Sequence, residues 1–286
     1  MTLRELSLPA PAKLNLFLHI TGRRPDGYHD LQTVFQFIDQ ADELHFRLRD
    51  DGLVTLAPDI PGVAAEDNLI MRAARALQAA SACRLGADIR LDKRLPMGGG
   101  LGGGSSDAAT TLLALNTLWG TGLSEDELAA LGLRLGADVP VFVRGRAAWA
   151  EGIGEDMQPI DLPEPWYVVL SPEAHISTAA AFAHPELTRN TAAITMRAFF
   201  AGAGRNDFET VVRRLSPAVD AAMSWLAQRG PARMTGTGAC LFLACPTRDA
   251  AARILAESPV GGFICRGQNR SSAHSALDRL LRPHRI

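Results

Sequence analysis

An α+β fold in two domains is what this sequence predicts, and three observations predict it. Strand-type and helix-type patterns alternate without a strict β-α-β rhythm, which argues against a doubly wound parallel sheet. Residues 152–165 are rich in Gly, Pro and acidic side chains and lack periodicity, so a boundary near residue 155 divides an N-terminal unit, 1–155, from a C-terminal unit, 156–286. Six glycines fall within the seven residues 98–104, between a strand pattern and an Ala/Thr/Leu helix pattern. The chain of 286 residues is long enough for two ordinary domains at roughly 100–200 residues each.

The elements follow in order. Residues 13–20, Lys-Leu-Asn-Leu-Phe-Leu-His-Ile, alternate for most of their length and read as a strand with one polar face. Residues 28–38 and 43–49 also read as extended, the second alternating Leu44, Phe46 and Leu48 with polar partners. Asp67 is the expected N-cap of a helix through Ala80, with Leu69, Ile70, Ala73, Ala74 and Leu77 on its apolar side. Residues 87–93 alternate again as a strand. After the glycines a helix runs to about Trp119, and Ser124 with Glu127 forms a capping box for a further short helix. Short strands are expected at 139–143 and 147–151. Beyond the boundary come a buried strand at 166–170, helices at about 177–183, 192–201 and 216–228, and a Gly-interrupted apolar strand pair at 234–245. A helix at 247–257 and a strand at 261–265 complete the reading.

Composition excludes several classes of function. Net charge is −2, from 29 basic and 31 acidic residues, with no clustering of Lys and Arg, so no nucleic-acid partner is expected. The longest uncharged stretch, the 17 residues Ala108–Ser124, holds Thr, Asn and Gly and is too polar for a membrane span. Arg4, Glu5 and Lys13 interrupt any secretory signal core. A soluble, cytoplasmic protein with no membrane partner is the expectation. The four cysteines form no C-x-x-C pair and no zinc-type grouping, which suits reduced, buried thiols. Of the 29 basic residues only Lys13 and Lys93 are lysines, and a general bias toward Arg makes both positions conspicuous.

The glycine block carries the clearest chemistry. A loop stripped of side chains brings its backbone close to a bulky ligand, and its successive N–H groups can form an anion-binding nest. Ser105-Ser106-Asp107 follows and should begin the next helix, whose N-terminus adds unpaired donors and partial positive charge. Strand, glycine loop and helix together make a phosphate cradle. The chain has no Gly-Lys, which closes the Walker A option. A dinucleotide pattern G-x-G-x-x-G matches at Gly98, Gly100 and Gly103, but the region that should supply its acid-ended second strand, 119–127, is a turn and a capping box.

Pro96-Met-Gly-Gly-Gly-Leu-Gly-Gly-Gly-Ser-Ser-Asp-Ala108 resembles the Pro-x-x-x-Gly-Leu-x-Ser-Ser-Ala signature of the GHMP small-molecule kinases, with two extra glycines and with Asp107 where many relatives have Ala. Three further segments extend the resemblance. They are Pro11-Ala-Lys-Leu-Asn-Leu-Phe-Leu18 with Gly22-Arg-Arg-Pro-Asp-Gly-Tyr-His-Asp-Leu-Gln-Thr33, then Gly136-Ala-Asp-Val-Pro-Val-Phe142, then Arg233-Met-Thr-Gly-Thr-Gly-Ala-Cys240. The likeness covers nearly the whole chain and is weakest over 184–232. It implies an N-terminal ribosomal-S5-like domain and a C-terminal ferredoxin-like α/β sandwich. It also implies an ATP-dependent kinase acting on a hydroxyl of a cytidine-diphosphate alcohol, on a route to isoprenoid precursors, with Mg²⁺ as the metal. The alternatives are another small-alcohol kinase of the mevalonate or homoserine type, or a nucleotide-binding module without catalysis.

The resemblance also assigns residues. ATP is placed on Pro96, Met97, Gly98, Gly99, Gly100, Leu101, Gly102, Gly103, Gly104, Ser105 and Ser106. Asp138 takes the role of base, although an Asp in Gly-Ala-Asp-Val-Pro read alone is a turn or cap residue. Lys13 is placed beside Asp138, where its charge favours an ionised carboxylate. Asn15, on the same strand face, is assigned to the acceptor hydroxyls. Tyr28 and Phe182 resemble an aromatic pair that sandwiches the cytosine, His29 the residue that reads its edge, and Phe35 and Thr178 further pocket positions. The Gly236-Thr-Gly238 turn resembles a motif that packs under the phosphate loop.

Overall fold

A computed structural model describes residues 3–281 apart from 26, 61 and 65, so Asp26 of the 22–33 motif lies outside the described residues. The N-terminal half opens with two long strands, β1 (Glu5–Arg23) and β2 (His29–Arg49), and continues with β3 (Val54–Ala57), α1 (Leu69–Ser81), β4 (Gly86–Asp92), α2 (Gly103–Trp119), α3 (Glu125–Leu133), α4 (Val139–Arg144), β5 (Ala148–Glu151) and β6 (Asp156–Pro159). The C-terminal half runs β7 (Trp166–Leu170), α5 (Thr178–Ala183), α6 (Met196–Phe200), α7 (Glu209–Leu215), α8 (Pro217–Ala227), β8 (Arg233–Met234), β9 (Leu241–Cys245), α9 (Arg248–Ala256), β10 (Gly262–Gln268) and α10 (Ser272–Leu281).

β2 organises the sheet. One edge pairs antiparallel with β1 over almost its full length, while the other receives β5 at 33–35, β10 at 37–38 and β4 at 43–49. Beyond β10 the path continues through β7, β9 and β8. Among the described residues only one pairing between named strands, β3–β4, is parallel, which agrees with an α+β fold. The two extended pieces expected at 28–38 and 43–49 are one strand, because Ala10 and Pro11 of β1 stay in register with Asp42 and Ala41 across the polar stretch.

Two apolar cores lie on either side of a seam. The first packs β1, β2 and β4 against α1 and α2, and the second packs β7 and β9 against α7, α8 and α9. A third cluster, including Leu14, Ile38, Leu101, Tyr167 and Phe242, joins them, and its Leu101 belongs to the glycine loop. α2 is apolar on all sides and correspondingly buried at 12 of its 17 residues, which makes it the central helix of the first core. No helix among the described residues is long and apolar enough to cross a membrane. All four cysteines are free, and Cys240, Cys245 and Cys265 are buried.

Several elements depart from expectation for local reasons. The run 139–143 forms the helix α4 rather than a strand. A short, wholly buried apolar run reads the same either way, and Pro140 in the first turn with Gly145 in the left-handed region at the end decides for helix. The cap of α1 is Asn68, whose side chain accepts from the Ile70 N–H, and not Asp67. The helix expected at 192–201 shrinks to α6, because the Thr195 side chain caps it by accepting from the Ala198 N–H. α7 has no side-chain cap at its start, and β3 and β6 are short partners of longer strands, so none of the three announces itself. α10 was likewise outside the sequence reading. The capping box at Ser124 and Glu127 is present.

Candidate active site

A cavity of about 560 Å³ opens at the seam, where the glycine loop meets β1, β2, α4 and α5. Its floor is the loop itself. Gly100 and Gly102 carry φ of +75° and +72°, alternating with residues of ordinary φ, which is the geometry of a backbone nest. α2 begins at Gly103, two residues earlier than Ser105, and its N-cap Gly102 offers no side chain to the first-turn N–H groups. Those donors are left to a ligand. Packing from below also demands the glycines: a Cβ on Gly100 would stand 2.2 Å from the Thr235 carbonyl oxygen. The Gly236-Thr-Gly238 turn therefore lies directly beneath the loop, with Cys240 N–H donating to the Gly99 carbonyl at 3.1 Å and the Thr235 hydroxyl to that of Gly100 at 3.2 Å.

Lys13 and Asp138 meet at the edge of this floor. Lys13 projects from β1 and is 2% exposed, so it is not a solvated strand residue. Its ammonium donates to Asn15 Oδ1 at 2.5 Å and to the Gly100 carbonyl at 3.1 Å, and it pairs with Asp138 Oδ2 at 3.2 Å. It also stands 5.5 Å from the centre of the Phe35 ring. Asp138 occupies the N-cap position of α4, yet its side chain caps no backbone donor and is free to face Lys13. Asn15 is completed by Thr33: its Nδ2 donates to Thr33 Oγ1 at 2.9 Å.

A second lysine site escaped sequence reasoning. Lys93, just past β4, bridges Asp42 Oδ2 at 2.6 Å and Asp107 Oδ2 at 2.8 Å. Asp42 is fully buried and also accepts from the Arg94 and Leu95 N–H groups, which fixes the segment leading into the loop. Among the described residues the Asp107 carboxyl accepts from Lys93 at Oδ2, and its Oδ1 finds no hydrogen-bond partner. Burial raises the Asp107 carboxyl above its ordinary range, with Lys93 opposing the shift. Burial works to lower the Lys93 ammonium, but the two carboxylates outweigh it and hold it above its ordinary range. The one available signal was the rarity of Lys in this chain. Ser106 Oγ is also buried without a partner among the described residues.

The far end of the cavity is aromatic. Phe182 on α5 stacks on His29 with ring centres 5.0 Å apart and meets Phe208 edge-on at 4.8 Å. Arg189 ties down the end of α5, donating to the carbonyls of Phe182 at 2.6 Å and His184 at 2.8 Å. Burial, then the charges of Arg189 and Arg23, lower the His29 imidazole below its ordinary value, and its Nε2 finds no partner among the described residues. The structure thus brings Lys13, Asn15, Phe35, Asp138, Thr178, Phe182 and residues 96–105 onto one cavity. Thr178 and Thr237 share a hydroxyl contact of 3.1 Å across it. Tyr28, His29 and Ser106 are outside the lining: Tyr28 is 61% exposed, Ser106 is buried, and the His29 ring stacks on Phe182.

A glycine nest at a helix N-terminus with a lysine–carboxylate pair at its edge suits phosphoryl transfer to a small molecule. Residues 68–146 match the GHMP kinases N terminal domain and residues 184–257 the GHMP kinases C terminal family, and the chain belongs to the GHMP kinases. Within that family its relatives are more particular. It is 58% identical over 279 residues, covering 97% of this chain and 99% of the relative, to the 4-diphosphocytidyl-2-C-methyl-D-erythritol kinase of Pseudomonas paraeruginosa. It is 60% identical over 256 residues, covering 90% of each chain, to the enzyme of the same name from Aromatoleum aromaticum. A crystal structure of 4-(cytidine 5'-diphospho)-2C-methyl-D-erythritol kinase superposes with a TM-score of 0.79 at 33% identity, over 92% of this chain and 99% of that one.

Proposed function

We propose that this protein transfers the γ-phosphoryl group of ATP to a hydroxyl of 4-diphosphocytidyl-2-C-methyl-D-erythritol, in the methylerythritol phosphate route to isoprenoid precursors. One observation carries the chemistry: the buried Lys13 ammonium holds Asp138 at 3.2 Å while touching the Gly100 carbonyl of the phosphate loop. Acceptor-side base and donor-side cradle are thereby locked to one another. Relatives of that name at 58% and 60% identity support the choice of substrate over a mevalonate- or homoserine-type acceptor.

Phosphoryl transfer is mostly positioning and electrostatic stabilisation. In this reading the loop amides of residues 98–104 and the first turn of α2 hold the phosphates. Asp138 accepts the hydroxyl proton as that oxygen bonds to the γ-phosphorus, and the bond to the bridging oxygen breaks to release ADP. Lys13 holds the Asp138 carboxylate in place beside the loop and balances the charge that develops in transfer. A magnesium ion at this end would be held mainly by phosphate oxygens and water, with the cavity-lining Ser105 hydroxyl an oxygen of the kind it takes. Such an ion offsets phosphate charge when bound. The cytosine falls to the aromatic end, with Phe182 as its platform, His29 at its edge and Tyr28 available from the exposed loop. Two domains, 1–155 and 156–286, flank the cavity, with β6 of the second reaching back to pair with β5 of the first.

An ATP-consumption assay offering diphosphocytidyl-methylerythritol, mevalonate, homoserine and galactose separately tests the substrate. Turnover is expected with the first alone. Turnover with another and none with the first overturns the assignment.

A further inference from the structure

Resting on the reading of Lys13, Asn15 and Asp138 above, we infer that Thr33 is a positioning residue for the transfer, because its hydroxyl decides which end of the Asn15 amide faces Lys13. An Asn side chain has an acceptor end and a donor end of nearly the same shape, and little but hydrogen bonding distinguishes them. An ammonium only donates. Lys13 therefore gains its third acceptor only if Oδ1 points at it, and a turned amide would set N–H groups against the Nζ. Lys13 cannot enforce the choice alone, since its other two partners, Gly100 and Asp138, give the ammonium an alternative resting place.

The hydroxyl of Thr33 enforces it. A backbone carbonyl can only accept, and Thr33 Oγ1 lies 2.5 Å from the Phe17 carbonyl oxygen. The single hydroxyl proton is committed there, so toward Asn15 the oxygen presents lone pairs only. It stands 2.9 Å from Asn15 Nδ2, which must be the donor end. Thr235 fixes the other side of the same residue: its Oγ1 accepts from the Asn15 backbone N–H at 3.0 Å and donates to the Gly100 carbonyl at 3.2 Å. Thr33 and Asn15 are 1% and 2% exposed, so bulk water does not replace a lost partner. The polarity runs one way, from the Phe17 carbonyl through Thr33 and Asn15 to the ammonium beside Asp138.

The test uses the full chain and steady-state kinetics of Thr33→Val, Thr33→Ser, Asn15→Ala, the Thr33→Val/Asn15→Ala double variant and Asp138→Asn. Thr33→Val keeps the volume and removes the hydroxyl. Its kcat should fall about tenfold or more with KM for ATP within about twofold, since small misplacements of reacting groups cost on that scale. Thr33→Ser, which restores the hydroxyl, should stay within about threefold of the parent. In the Asn15→Ala background Thr33→Val should cost nothing further, as expected of residues that act through one another. Parental kcat in Thr33→Val, or a full additional loss in the double variant, overturns the inference. If Asp138→Asn meanwhile loses turnover, the functional reading stands and only the role of Thr33 fails. If Asp138→Asn keeps parental turnover, the functional reading fails first. Should Thr33→Val not fold, ¹⁵N-Asn-labelled parent decides by NMR: Asn15 Nδ2 proton contacts to the Thr33 side chain support the inference, and contacts to the Lys13 ε-methylene protons overturn it.

Discussion

Both lysines of a chain with 27 arginines stand against the phosphate loop, each with its ammonium in contact with carboxylate oxygens. Geometry explains why these positions escape the drift to Arg. A compact ammonium directs three donors toward three points, whereas a guanidinium is a planar fork too wide for such a socket. At position 13 the socket is closed by Asn15, Gly100 and Asp138, and a Cβ on Gly102 would already stand 3.0 Å from Lys13 Cε. Lys13→Arg should therefore behave almost like a deletion, with kcat falling about 10²-fold or more, a loss of the size seen when one preorganised charge is removed. Asp138→Asn should lose turnover by a similar factor while nucleotide binding, measured by calorimetry, persists. Near-parental kcat in either variant removes that residue from the chemistry. Lys13 and Asp138 were legible because each sits in a short motif. Asp42 and Asp107 were not, because Asp42 and Lys93 lie 51 residues apart and no pattern links them.

At the scale of elements, the glycine loop was legible except for its end, since α2 starts at Gly103, and the helix that carries Phe182 only in part. α5 spans Thr178–Ala183, too short to be rigid by itself. Arg189 anchors its end through the carbonyls of Phe182, His184 and Leu187. Arg189→Ala should raise KM for the cytidine substrate about tenfold, the cost expected for loosening one bound aromatic group, and leave KM for ATP alone. A change in the ATP value instead would place Phe182 outside the base pocket. The same arginine bears on pH. Burial first, then Arg189 and Arg23, lower His29, so it binds its proton only below its ordinary value of 6.5 and is neutral above it. KM for the cytidine substrate should stay flat as pH falls from about 8 to 6.5 and rise only below that. In Arg189→Ala one of the lowering charges is gone, so the rise should begin at higher pH. An inflection that does not move contradicts the role of that charge. That His29 stacks on Phe182 was not legible, because the contact depends on where α5 docks.

The whole molecule is held at a seam that places the cavity. β10 joins β2 through Gly267 opposite Ile38 and Gln268 opposite Phe37. Beside this join the Tyr167 hydroxyl donates to Gln36 Oε1 at 2.7 Å, and Gln36 Nε2 donates to the Pro163 carbonyl at 2.8 Å. Gln36 is fully buried, so Tyr167→Phe leaves its carbonyl oxygen unpaired in the interior. The expected loss is about 1–3 kcal/mol, read as a fall in Tm of roughly 2–4 °C per kcal/mol for a protein near this size, with both KM values unchanged. An unaltered Tm would mean that the bond does not hold the halves together.

By itself the sequence determined the parts whose cause is local. These are the phosphate loop and the helix after it, the strand stretch 13–20 bearing Lys13 and Asn15, the capping box, and the α+β alternation. In each, neighbouring residues supply the whole physical reason: glycine without a Cβ, a side chain within reach of its own N–H, or alternation along a pleat. Only the tertiary structure decided that 139–143 coils rather than extends, that β2 is continuous, and that His29 meets Phe182. It alone revealed the chain of hydrogen bonds from Thr33 to Lys13 and the second lysine beneath the loop. Those outcomes depend on burial and on partners tens of residues away, and a buried polar group chooses its partner only after the fold has removed water from both.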